Sequence, residues 1–302
     1  MIDLKPWGEI NWDGIEEADV CVMGIPFDGA VSCGKGTALA PEMLRKLSRY
    51  LPPATEEGLL FETLKVYDYG DVAADLDWAR YFDEVEKASF EMLQTGKFCF
   101  FIGGDHSVTI PLQKAFSKNF DGKKIGIIHF DSHSDICDTY DNHKWSHACT
   151  EKRAVDDLID PEDLSLIGIR SWEAEEIKYL QDHPETLVIK AYDIFKEGYQ
   201  EACKRLKEKY KNYDAVYFTL DIDVLDPSCA PGTGTPEAGG LTSRELLEMV
   251  KYIIQEIPVK AMDIVEVSPP LDSENNITSW AALKIIYEVF GKLSQRSSRN
   301  RG

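Results

Sequence analysis

Eight short runs of β-branched and aromatic residues punctuate the chain, at 18–26, 65–70, 98–103, 124–131, 164–169, 187–192, 214–222 and 259–267, each closed by a turn signal. The segments between them carry helical spacing. Tyr81, Phe82, Val85, Ala88, Met92 and Leu93 form one apolar stripe, and Thr242 with Glu245 makes a capping-box start for a helix through Ile254. This alternation predicts an α/β fold with a mainly parallel sheet covered by helices on both faces. The 302 residues show no internal repeat and no linker, which predicts a single domain over 1–302 with the Ser/Arg-rich tail 293–302 disordered.

Charge narrows the partner classes. The net charge is −20, so no basic surface is expected to track nucleic-acid phosphates or anionic lipid. The first residues, MIDLKPWGEINWDG, lack the basic-then-apolar pattern of a signal peptide, and the longest apolar run, near Phe98–Ile102, is too short to span a bilayer. A cytoplasmic location without membrane partners is expected. The seven cysteines are scattered and never spaced as C-x-x-C, which argues against a disulfide framework or a thiolate zinc site. No P-loop pattern for a nucleotide cofactor occurs.

The run GIIHFDSHSDICD, residues 126–138, starts as a buried strand and ends with Asp131, His133 and Asp135 at alternate positions. If extended geometry persists, the three side chains share a face. Like charges so close repel unless something positive lies among them. Alone, D-x-H-x-D is more often a hydrated polar turn. A second apolar run, AVYFTLDIDVLDP, however, puts Asp221 and Asp223 on one face at its end, and FCFFIGGDHS brings Asp105, His106 and Ser107 to the exit of a third. His106 there is a capping or core histidine, or a ligand. In parallel sheets, sites form beyond the carboxyl ends of strands. Carboxylates and imidazoles from three such ends make an oxygen-rich set suited to Mn²⁺, and the charge suits two ions better than one.

The set GGDHS (103–107), FDSHSD (130–135), LDIDVLDPSCAPGTGTPEAGGLTSRE (220–245) and DIVEVSPPLD (263–272) resembles the ureohydrolase family of arginases, agmatinases, guanidinobutyrases and formiminoglutamases, from about Ala18 to Gly291. The resemblance implies a three-layer α/β/α sandwich around an eight-stranded sheet of order 2-1-3-8-7-4-5-6. It implies a binuclear manganese centre, with His106, Asp131, Asp135 and Asp221 on one ion and Asp131, His133, Asp221 and Asp223 on the other. By the same resemblance, Asp135 passes a proton to the departing amine, Glu266 accepts the planar guanidinium, and His147 exchanges protons with solvent. Fe²⁺, Co²⁺ and Ni²⁺ can share such ligands.

Agmatinases are the nearest resemblance, which implies hydrolysis of agmatine to putrescine and urea. Where arginases carry a loop that reads the α-carboxylate and α-amino group, this chain has ICDTYDNHKWSH, which places Trp145 near those contacts and disfavours arginine. Two departures bear on substrate: Ala148, Cys149, Thr150 and Glu151 follow His147, and Ser132 stands where Ala is common. Guanidinobutyrate, guanidinopropionate, formiminoglutamate and guanidine stay open as substrates. So do a metal-binding relative without catalysis and a one-zinc deacylase on the related deacetylase fold. The family also implies a homo-oligomer, trimeric or hexameric.

Overall fold

The computed structural model describes the backbone of residues 5–300 and the side chains of residues 5–296. Within it all eight expected strands form: β1 (Val20–Gly24), β2 (Val66–Asp71), β3 (Phe98–Ile102), β4 (Ile125–Phe130), β5 (Leu164–Ile169), β6 (Leu187–Lys190), β7 (Ala215–Asp221) and β8 (Val259–Val265). They make one sheet of order β2-β1-β3-β8-β7-β4-β5-β6, and every pairing is parallel. Parallel strands buried on both faces need no hydrophobic alternation, and β7 is buried at all of its positions.

Helices cover both faces, giving three layers. One face packs against α1 (Ala40–Ser48), α6 (Ala191–Glu197), α7 (Tyr199–Tyr210), α8 (Ser243–Glu256) and α9 (Ile277–Asn300). The other packs against α2 (Trp78–Leu93), α3 (Thr109–Asn119), α4 (Thr150–Asp157) and α5 (Ala174–Asp182). The expected stripe on α2 is its buried face, with Ser89 joining it by bonding back to the Val85 carbonyl. Thr242 and Glu245 form the capping box of α8. Phe100, Phe130 and Phe218 are wholly buried on the sheet, each burial contributing about 1.5–3 kcal/mol.

The tail departs from expectation. Helix α9 continues to Asn300, so residues 293–300 are helical rather than disordered, and 301–302 lie outside the described residues. Leu293 is buried, and the Arg296 guanidinium donates to the Ile257 carbonyl at 2.9 Å, which anchors the extra turns. Among the described residues, no helix is long and apolar enough to cross a membrane.

The strand order places β3, β8, β7 and β4 side by side at the centre of the sheet, so their carboxyl ends open at one edge. Residues 103–107, Glu266, Asp221 with Asp223, and residues 131–135 leave the sheet there.

Candidate metal centre

The acidic side chains converge by turning, not by strand alternation. β4 stops at Phe130, and the Asp131 carboxylate then accepts the backbone N–H of His133 at 2.6 Å. β7 ends on Asp221, whose carboxylate accepts the Asp223 N–H at 2.8 Å and starts a one-turn 3₁₀ segment. A carboxylate that bonds the amide two residues on competes with the sheet ladder and bends the chain. The expectation of extended geometry through Asp135 is thereby corrected. Asp135 itself is left-handed, with φ +53°, and its carbonyl accepts the N–H groups of Glu151 and Lys152 at the start of α4.

The turns bring all six candidate ligands together. His106 Nδ1 lies 2.9 Å from Asp131 Oδ2, 3.1 Å from Asp135 Oδ2 and 3.3 Å from Asp221 Oδ2. His133 Nδ1 lies 3.2 Å from both Asp131 Oδ1 and Asp223 Oδ2. Asp131 therefore serves two clusters through its two oxygens. His106 and the acids are almost wholly buried, whereas His133 keeps 30% of its side chain exposed, on the solvent side. Burial, with the charges of Asp223 and Asp131 adding to it, pushes the Asp221 carboxyl well above the usual range. Burial and Asp131 likewise raise Asp223.

The hydrogen bonds behind His106 test whether a cation fits. Its Nε2 lies 2.8 Å from the Thr219 hydroxyl, and that hydroxyl donates to Asp263 Oδ1 at 2.6 Å. Asp263 also accepts from the hydroxyls of Thr109 and Tyr217. With its one hydrogen committed to Asp263, Thr219 must accept from His106 Nε2–H. Nδ1 is then a lone pair facing three carboxylates, and it has no hydrogen-bond partner. Asp131 Oδ2 and Asp223 Oδ2 are buried without partners as well. Lone pairs converging on lone pairs need a cation between them, and nitrogen and carboxylate donors suit a first-row divalent ion.

Glu266 leaves β8 in a second left-handed conformation, φ +61°. Its Oε1 accepts the His106 N–H at 2.9 Å and sits 3.2 Å from His147 Nδ1, while Oε2 is buried without a partner. The Ser32 N–H lies 3.2 Å from His147 Nε2 and the Ser32 hydroxyl 3.0 Å from it. That hydroxyl can donate to a neutral ring or accept from a charged one, so His147 has a partner in either state at the exposed rim. Gly104 is required where it stands, because a Cβ there would collide with the Phe27 carbonyl.

A cavity of about 140 Å³ opens over the acids, and Tyr140, His147, Trp172, Glu173 and Glu176 line its walls. Trp145 does not line it: the indole packs on Phe82 with centroids 5.7 Å apart. The substrate argument built on Trp145 is therefore corrected, with Tyr140 and Trp172 as the aromatic walls. Of the departures after His147, Ala148 lines the cavity and Glu151 turns inward.

The sequence reading passed over the polar row beneath the site. His129, Thr219 and Asp263 are register partners across β4, β7 and β8. His129 Nδ1 lies 3.1 Å from Glu151 Oε1, and His129 falls within reach of a common point with His106, Asp131 and Asp135. The available signal was the two-residue offset, since His129 precedes Asp131 and Thr219 precedes Asp221 on the same strand face.

A family model described as the arginase family matches residues 18–291. Agmatinase from Bacillus anthracis is 37% identical over 280 residues, covering 91% of this chain and 91% of its own. The agmatine ureohydrolase of Thermoplasma volcanium superposes with a TM-score of 0.87 at 29% identity, covering 99% of this chain and 97% of its own. Formimidoylglutamase from Bacillus subtilis reaches the same TM-score of 0.87 at 26% identity, over 94% and 89% of the two chains.

Proposed function

We propose that this chain, which belongs to the arginase family, hydrolyses the amidino C–N bond of a guanidino compound to urea and an amine, with agmatine as substrate and putrescine as the amine. The observation that carries the reading is the lone pair of His106 Nδ1 held 2.9–3.3 Å from three buried carboxylates. His106, Asp131, Asp135 and Asp221 would hold one Mn²⁺, and Asp131, His133, Asp221 and Asp223 the other. What a bound metal pair supplies is Lewis acidity, namely an easily deprotonated water and a positive field for charge developing at carbon.

The protein groups do the rest. Glu266, steadied by the His106 amide and His147, has one oxygen free to accept a guanidinium N–H. Water adds to the guanidinium carbon, its proton passes to Asp135, and Asp135 returns it to the departing amine nitrogen as the C–N bond breaks. His147 restores the proton balance with solvent, with the Ser32 hydroxyl as its partner at the rim.

The cavity walls support an amine-bearing substrate. Glu173 and Glu176 are acidic and Tyr140 and Trp172 aromatic, and no described lining residue is Lys or Arg. A distal ammonium is matched by that surface, whereas the carboxylate of arginine, guanidinobutyrate or formiminoglutamate would lack a cationic partner. The family reading further makes the protein a single-domain cytoplasmic homo-oligomer, trimeric or hexameric, which sedimentation velocity tests.

Urea release by Mn²⁺-loaded protein from agmatine, arginine, 4-guanidinobutyrate, 3-guanidinopropionate and guanidine, with formamide release from formiminoglutamate, tests the proposal. Agmatine should give the highest kcat/KM. Preference for a carboxylate-bearing compound would overturn the substrate, and no urea from any of them would overturn the activity.

A further inference from the structure

Behind Asp131 lies a buried chain of side chains that the proposed reaction leaves unused. Gln113 on α3 donates its amide to Glu151 Oε1 at 2.9 Å, and that oxygen lies 3.1 Å from His129 Nδ1. On the far side of the ring, His129 Nε2 lies 3.1 Å from the His133 carbonyl and 3.3 Å from Asp131 Oδ2. Glu151 and His129 are fully buried. The backbone repeats the connection, because the Glu151 N–H donates to the Asp135 carbonyl at 3.0 Å.

His129 stands where a metal ligand could. It is close to His106, Asp131 and Asp135 at once, and its ring stacks on His106 with centroids 4.9 Å apart and planes 1° from parallel. Its neighbours assign it differently. Nδ1 faces the Glu151 carboxylate, and Nε2 lies 3.1 Å from the His133 carbonyl, which can only accept, so the Nε2 edge presents a hydrogen rather than a lone pair. A ring fixed at one edge by Glu151 holds the His133 carbonyl at its other edge and lies 3.3 Å from Asp131 Oδ2, and the backbone of His133 in turn donates its N–H to Asp131 Oδ1 at 2.6 Å.

We propose that Glu151, acting through His129, is a positioning residue that sets the carboxylate of Asp131 where both metal ions share it. This rests on the binuclear reading above. A carboxylate–histidine pair behind a ligand holds it in the rotamer that the metal needs, and removing such support typically weakens metal binding ~10–100-fold. Here the support serves a carboxylate common to two clusters, so its loss should disturb both the weaker ion and the coupling between the ions.

The test uses Mn²⁺ alone as probe, with calorimetric titration for stoichiometry and affinity and electron paramagnetic resonance for exchange coupling within the metal pair. Glu151→Gln keeps reach and an acceptor oxygen. Glu151→Asp keeps the charge but falls one methylene short of His129, and Glu151→Ala removes both. Glu151→Asp and Glu151→Ala should bind one of the two ions ~10–100-fold more weakly and lose the coupled spectrum at two equivalents, while Glu151→Gln stays within about threefold of wild type. Melting of the metal-free variants identifies any that do not fold, and Glu151→Asp then carries the comparison with Glu151→Gln. Wild-type affinity and coupling in Glu151→Asp, or a greater loss in Glu151→Gln than in Glu151→Asp, would overturn the positioning role. Wild-type protein that binds no Mn²⁺ pair would instead overturn the binuclear reading itself.

Discussion

Asp135 and Glu266, which leave different strands, both hold left-handed backbone, at φ +53° and +61°, and both aim carboxylates into the same buried site. Such conformations are sparsely populated by residues other than Gly, Asn and Asp and cost of order 1–3 kcal/mol. The strain sits on Glu266, whereas Asp135 is of a residue type that visits this region more readily.

Asp135→Asn and Asp135→Ala separate backbone from charge, because both remove the carboxylate but only Asn tolerates the left-handed region. Chemical denaturation of metal-free protein should find Asp135→Ala less stable than Asp135→Asn by about 1 kcal/mol. Both should lose urea release by at least ~10²-fold.

Metal removal should lower stability as well as activity. Chelation is expected to abolish urea release and reduce Tm, and Mn²⁺ at a hundredfold excess over its Kd should return about 2.7 kcal/mol for each ion that binds only the folded chain. Asp131→Ala and Asp221→Ala should lose metal and activity together. Scanning calorimetry with metal analysis checks both statements, and a Tm indifferent to Mn²⁺ would contradict them.

His147→Asn and Glu266→Gln should keep both ions and fail at different steps. Loss of the His147 proton carrier should slow kcat by ~10²–10⁴-fold, with partial recovery in imidazole buffer. Loss of a charged acceptor at Glu266 should lower kcat/KM by ~10²-fold without buffer rescue. Equal metal loss in the two variants would remove the distinction.

Away from the site, Arg45 ties α1 to β2. Its Nε and Nη2 donate to the two oxygens of Asp68 at 2.8 Å each, and Nη2 also reaches the Gly70 carbonyl. Both side chains are about nine-tenths buried. Arg45→Met should cost about 3–5 kcal/mol in urea denaturation, because Asp68 is left buried with its charge unpaired. Arg45→Lys should recover little, since an ammonium cannot make the paired contact.

Glu56 predicts a pH dependence. The Arg244 guanidinium, with Lys251 beside it and some burial opposing them, lowers its carboxyl from 4.5 to about 2. A pKa lowered on folding stabilises the protein above the unfolded value, and that contribution disappears as pH falls from 4.5 toward 2. Wild type should therefore exceed Glu56→Gln in denaturation midpoint near pH 6, and the gap should close by about pH 2. Added salt should shrink the gap, because the Arg244 side of the cluster is exposed.

The strands were legible because a parallel sheet buried on both faces demands continuous apolar runs, and no other local preference competes within them. The candidate ligands were legible as residue types at strand ends, since parallel strands deliver their carboxyl ends to one edge. The tail was misread because Ser and Arg are poor evidence for or against a helix, and the anchoring bond of Arg296 joins it to Ile257 from a distant segment.

The sequence by itself determined which strands form and which six residues gather at their ends. How those residues meet was decided by the tertiary structure: the bends made by Asp131 and Asp221, the left-handed turn at Asp135, the outward packing of Trp145 on Phe82, and the approach of Glu151 to His129. Periodicity carries information about a residue's own element. It carries none about a partner on a different element, and Glu151 follows His129 by 22 positions, from a helix on the other side of a loop.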